Sequence, residues 1–191
     1  MSGGGFHVHG PHDHELEHAA HADPGGLAGQ LAVATAVIAT VGALFAYMGG
    51  ATQANAGLFK NDAAIKKTEA ANQWAFYQAK SSKQNLAEIA LDLAPEPRKA
   101  FYAAEAKRYK GEKDEIMVAA KKLEEASTEW DNKSAEQLHQ HHRWAQATTA
   151  LQIAIAMAAI ALLTRRKWLE YGVFGLSAVG VVLGALAWMH I

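Results

Sequence analysis

The stretch Leu91-Asp92-Leu93-Ala94-Pro95-Glu96-Pro97-Arg98-Lys99 decides how this chain folds. It lies near the middle of a long block, Gln53 to Trp144, that is polar, rich in alanine and charge, and bracketed by apolar segments. Pro95-Glu96-Pro97 is its only strong helix breaker. Proline lacks an N–H donor and restricts the residue before it, so Pro95 ends one helix, while Pro97 is tolerated in the first turn of the next. The spacing predicts two long helices folded back on each other at Glu96.

Helical periodicity on either side supports this. Leu58, Ile65, Asn72, Ala79, Leu86 and Leu93 are each seven apart, as are Tyr102, Tyr109, Ile116, Leu123 and Trp130. Gly111 is an interior glycine, tolerated at about 1 kcal/mol. A fold at Glu96 pairs positions whose numbers sum to 192. Ile65 then faces Ala126 and Ser127, Asn72 faces Ala119 and Ala120, Phe76 faces Ile116, Leu86 faces Ala106, and Ala90 faces Tyr102. Large side chains meet small ones, as an antiparallel coiled coil requires. Asn72, Glu69 and Lys83 put polar groups at that seam, so either they fix register or the hairpin has further partners. At 1.5 Å per residue the arms 53–94 and 98–144 would reach roughly 60–70 Å from the membrane.

The membrane enters through the flanks. Asp23-Pro24-Gly25-Gly26 reads as a helix start, and from Leu27 to Met48 no residue is charged. About 20 apolar residues span a bilayer core. The expected organisation is an N-terminal arm at 1–26, a first span at 27–50, the extramembrane hairpin at 51–144 with its tip at 95–97, a second span at 145–164, a basic loop at 165–167 and a third span at 168–191. The class is all-α: a three-span membrane protein with a coiled-coil hairpin inserted between spans one and two. Gly42, Ala46 and Gly50 in span one, and Gly180 and Gly184 in span three, are spaced for close helix packing. Trp144, Trp168 and Trp188 sit where an aromatic belt is expected. Arg165, Arg166 and Lys167 occupy the short loop that the positive-inside rule weighs most. That places the loop and the N-terminus in the cytoplasm, and the hairpin in the periplasm of a bacterial inner membrane.

The first 26 residues hold six of the ten histidines, and no Lys or Arg precedes Lys60. A secretory signal needs a basic start, so this arm is not one. It reads as a solvated arm or as a metal arm. His7, His9, His12 and His14 form two H-x-H pairs, and on a helix His14, His18 and His21 share one face. Imidazole suits a divalent transition metal. No cofactor is otherwise expected. His139 and His142, three apart before span two, would suit a metal or a pH-sensitive contact, or simply form a solvated collar.

At Asn72-Gln73-Trp74-Ala75-Phe76-Tyr77-Gln78-Ala79-Lys80 the chain resembles a bacterial membrane-protein family, domain of unknown function 4337. The resemblance covers most of the chain: polar arm, one span, a helical region opening with this string, then two spans. It implies that topology and a bacterial origin, and supplies no mechanism or catalytic residue. On a helix, Asn72, Phe76 and Ala79 are expected toward the seam, with Trp74, Tyr77, Gln78 and Lys80 on its flanks. These flank residues, with Asn72, are candidate contacts to another subunit or partner, or plain packing.

The function classes narrow accordingly. The net charge of −1 gives no basic footprint for nucleic acid. The chain has no cysteine, hence no disulfide or thiolate site. There is no P-loop, dinucleotide fingerprint or nucleophile elbow, and enzyme activity is not expected. Three readings stay open: a membrane scaffold whose hairpin binds copies of itself or another membrane or periplasmic protein; a metal-binding or metal-sensing membrane protein; and an oligomeric pore.

Overall fold

A computed structural model describes residues 26–190. Three helices account for them: α1 (Leu27–Leu93), α2 (Glu96–Thr164) and α3 (Lys167–Trp188). The all-α class is as expected, and no strand occurs among the described residues. α1 stops at Leu93, two residues before Pro95. α2 opens at Glu96, with the Arg98 N–H on the Pro95 carbonyl at 2.9 Å. Glu96 places a carboxylate at the positive end of α2. At the other end Arg165 takes a left-handed φ of 51° and donates its N–H to Ala161 at 2.8 Å. Glycine usually fills this cap conformation; here an arginine does.

Contacts divide the described residues into two compact units: 26–51 with 140–190, and Thr52–His139. The first unit holds the apolar parts of all three helices, each long and apolar enough to cross a membrane. Leu31 and Ile38 of α1 and Leu169 and Val173 of α3 cluster with Leu151, Ala154, Ala158 and Ala161 of α2. The alanine face of α2 lets its neighbours come close, which is how apolar helices gain packing energy where water exclusion does not separate inside from outside. Gly180 and Gly184 are buried under Leu151 and Phe45. In α1 the close approach runs through Gly42 and Gly49, while Ala46 and Gly50 face outward. Seven-residue spacing keeps two glycines on one face, and the four-residue series of the sequence reading drifts off it. Trp144 is also unlike a belt residue: it is 3% exposed and packs on Phe45 with ring centroids 5.3 Å apart. Trp168 and Trp188 are exposed. The hydroxyls of Thr35, Thr40, Thr148, Thr149 and Ser177 lie in the apolar segments, where a hydroxyl can bond to a neighbouring helix. Each instead donates to a carbonyl four residues back in its own helix.

In the second unit the two helical segments run antiparallel. Ser127 Oγ donates to the Ala63 carbonyl at 2.9 Å and Ser134 Oγ to the Ala56 carbonyl at 2.8 Å. Both pairs sum to 190, two short of the register expected from a fold at Glu96. The buried seam consists of Ala56, Ala63, Ala70, Ala87, Ala120, Ser127 and Ser134. It is lined on the α2 side by the half-buried series Tyr102, Tyr109, Ile116, Leu123 and Trp130. On α1 the expected seam is overturned. Leu58, Ile65, Asn72, Phe76, Ala79, Leu86 and Leu93 are all exposed. Ala63 and Ile65 are two residues apart, hence about 200° apart around the helix. The physical reason lies in side-chain size. Alanine and serine let the backbones approach until hydroxyls reach carbonyls across the gap, and the leucine series points the other way.

Candidate functional site

The Asn72–Lys80 string divides between the two faces of α1. Trp74, Tyr77 and Lys80 turn toward α2, whereas Asn72 and Gln78 are exposed. Trp74 donates its indole N–H to Glu124 at 2.9 Å and meets Tyr77 edge-on at 5.4 Å. Lys113 Nζ lies 5.4 Å from the Tyr77 ring centroid. Lys80 forms an ion pair with Glu112 and lies 5.6 Å from the Tyr109 centroid, and Arg108 stacks 4.7 Å from the same ring. Arg108 also reaches Glu105 at 2.7 Å and Glu112 at 3.5 Å. The sequence reading put Asn72, Phe76 and Ala79 at the seam; the structure gives that side to the aromatic and basic members instead.

The charges are arranged to hold one another. The hydrogen bond from Lys80 is the main cause that holds the Glu112 carboxyl below its ordinary range; burial opposes it, and the charges of Lys80, Arg108 and Lys83 add to it. Arg108 does the same for Glu105 through its hydrogen bond. Further along, Lys60 pairs with Asp131, and Phe59 packs on Trp130 at 5.4 Å. Between Lys60 and Trp74 runs an open groove of about 610 Å³, floored by Ala63, Ala70 and Ser127. Its floor is alanine with Ser127, whose hydroxyl is spent on Ala63, and of its rim Lys60 is paired with Asp131 and Glu124 with Trp74, so it presents little to orient a small molecule.

The histidines of the arm, His7, His9, His12, His14, His18 and His21, lie outside the described residues. His139 and His142 are both exposed. Among the described residues no three His, Asp or Glu side chains converge as a metal site would need. His141 is engaged in the apolar unit. Its Nδ1 is 2.8 Å from the Gly49 carbonyl, and since a carbonyl only accepts, that nitrogen carries the proton. Gln140, buried, donates its amide to the Ala187 carbonyl at 3.0 Å and to His190 Nδ1. Arg165, Arg166 and Lys167 are exposed.

A family model described as domain of unknown function (DUF4337) matches residues 27–190. The chain belongs to this family. The match takes in all of α2 and α3 and α1 from its first residue, so both helical units are family features of DUF4337. No curated protein and no solved structure matches the chain.

Four contacts escaped the sequence reading: Ser127 and Ser134 across the seam, and Gln140 and His141 in the apolar unit. The first two carried a signal. Ala56, Ala63 and Ala70 repeat at seven, and so do Ser127 and Ser134, one series on each helix. Small residues in heptad register mark a close seam as clearly as leucines mark a wide one.

Proposed function

We propose that this chain is a non-enzymatic membrane assembly protein. Three spans anchor it in the cytoplasmic membrane of a bacterium, and Thr52–His139 forms an antiparallel coiled-coil hairpin outside the bilayer that associates with copies of itself or with a partner. One observation carries the reading. The hairpin satisfies its own seam with small residues and leaves large apolar side chains in water: Leu58 is 63% exposed, Leu86 66% and Leu93 81%. Full burial of such a side chain is worth about 1.5–3 kcal/mol, and a contiguous exposed set marks an association surface. Gln152 supports it independently. It lies in the middle of the second apolar segment and is exposed. An amide facing hydrocarbon is costly, and in membranes glutamine joins helices by hydrogen bonding across them.

The orientation follows from Arg165-Arg166-Lys167, which retain this loop in the cytoplasm and direct the hairpin to the periplasm. The chain has no cysteine, so single cysteines report without background. In intact cells a membrane-impermeant maleimide is expected to label Glu96→Cys at the hairpin tip. Thr164→Cys beside the basic loop should label only after the membrane is opened. Labelling of the loop alone in intact cells would invert the orientation, and labelling of both from outside would remove the three-span topology.

A further inference from the structure

The exposed face of α1 has an internal grammar. With Leu58, Ile65, Asn72, Ala79, Leu86 and Leu93 as one core row, the residues three further on, among them Thr68, Ala75, Ser82 and Ile89, form the second row of a heptad. All of these are exposed. Apart from Ile89 the second row is small or polar, with Asn61 at its start, and its hydroxyls are spent within the helix: Thr68 donates to the Ala64 carbonyl at 2.9 Å and Ser82 to the Gln78 carbonyl at 3.1 Å. The positions preceding the core row, such as Ala64, Ala71, Gln78 and Asn85, are exposed as well and carry no charge. Residues 54–93 contain nine charged side chains, and eight of them lie off this face, Asp92 being the exception. A merely solvated face has no reason to exclude charge over 40 residues.

Resting on the assembly reading above, we infer that this face is the seam of a parallel, in-register two-helix coiled coil between two copies of the chain, with Asn72 paired to Asn72 of the second copy. Three features select that occupant. First, the row needs a helix with the same heptad period, and the chain itself supplies one. Second, a lone asparagine in a core row is satisfied only by another amide. In-register parallel pairing brings Asn72 against its equivalent with the whole row overlapped, whereas antiparallel pairing with the whole row overlapped sets it against Ala79 and leaves both amides unpaired. This is the best-attested use of a core asparagine, fixing register and pair number. Third, copies inserted in one bilayer with one topology present the helix in the same direction, so the parallel arrangement requires no inversion.

The area is sufficient. Forty residues of helix extend about 60 Å, and a contact strip about 10 Å wide gives roughly 600 Å² per copy. The total of about 1,200 Å² is the lower end of specific interfaces. Confinement to one membrane raises the effective concentration of the partner and supplements a modest interface.

Single cysteines placed along α1 of the full chain in native membrane vesicles test this under mild oxidation, with the mass of the unoxidised chain measured in mild detergent alongside. The expected result is disulfide-linked dimer peaking at positions 58, 65, 72, 79, 86 and 93, at least five-fold above the intervening Lys60→Cys, Lys67→Cys and Glu88→Cys. All of these positions are exposed in the monomer except where the seam of the second copy covers them, so folding is not at stake. A chain of multimeric mass whose cross-links peak elsewhere, or follow no seven-residue period, overturns this inference and leaves the assembly reading standing. A chain of monomeric mass with no periodic cross-link overturns both.

Discussion

Replacing Ser127 and Ser134 together with leucine is expected to open the helix pair of Thr52–His139. Both hydroxyls sit in the seam, 9% and 8% exposed, and each donates to a carbonyl of the facing segment. Leucine removes the donor, at about 0.5–1.5 kcal/mol per bond. It also forces four heavy atoms into a gap set by alanines, and overpacking costs about 1–3 kcal/mol per site. The sites are seven residues apart on one face, so the helix cannot rotate to relieve one without keeping the other. The summed loss, about 3–9 kcal/mol, is comparable with the stability of a whole domain. Limited proteolysis should then cut between residues 52 and 139 while the apolar unit stays protected. Ser127→Ala with Ser134→Ala separates the two contributions: losing the hydrogen bonds alone should leave the pair closed. A leucine double variant as protease-resistant as the parent would show that the seam lies elsewhere.

Gly184→Leu should have the largest effect in the apolar unit. A Cβ at this position would overlap ring atoms of Phe45, which is itself packed on the buried Trp144. Alanine here is expected to cost about 1–3 kcal/mol, and leucine more. Gly175 on the same helix is the control, since nothing lies within 4 Å of a Cβ built there. Thermal unfolding in detergent should fall by several degrees for Gly184→Leu and be unchanged for Gly175→Leu. Equal melting of the two would mean that α1 and α3 do not meet at Phe45.

Much of the architecture was legible because its signals are local. Pro95 ends one helix and Pro97 suits the first turn of the next, and a charge-free run from Leu27 to Met48 reads as a span without tertiary knowledge. Which face of a helix turns inward is not local. The leucine row of α1 has the period of a coiled-coil seam, and a fold at Glu96 sets it against the alanines of α2. Ala63 and Ile65, two residues apart, compete for the seam, and the hydropathy of isoleucine favours the wrong one. What decides is the partner: Ser127 and Ser134 fit only against small residues at close range. Trp144 misled in the same way, since its position beside an apolar segment suits a belt and also suits the pocket over Gly49 and Phe45. Of the string Asn72–Lys80, Trp74, Tyr77 and Lys80, expected on the flanks, turn toward α2, while Asn72, Phe76 and Ala79, expected at the seam, are exposed. Asn72 then acquires a meaning that it lacked in a hairpin seam, as the single amide in an exposed apolar row.

The most direct test of the central claim is the mass of the intact chain in a mild detergent and again in lipid nanodiscs. With three apolar helices and an exposed, nearly charge-free face on α1, the account predicts a particle containing two or more chains in both media, and its loss in a Leu86→Glu variant whose helix content is unchanged. A particle of one chain in both, with Leu86→Glu indistinguishable from the parent, would contradict it.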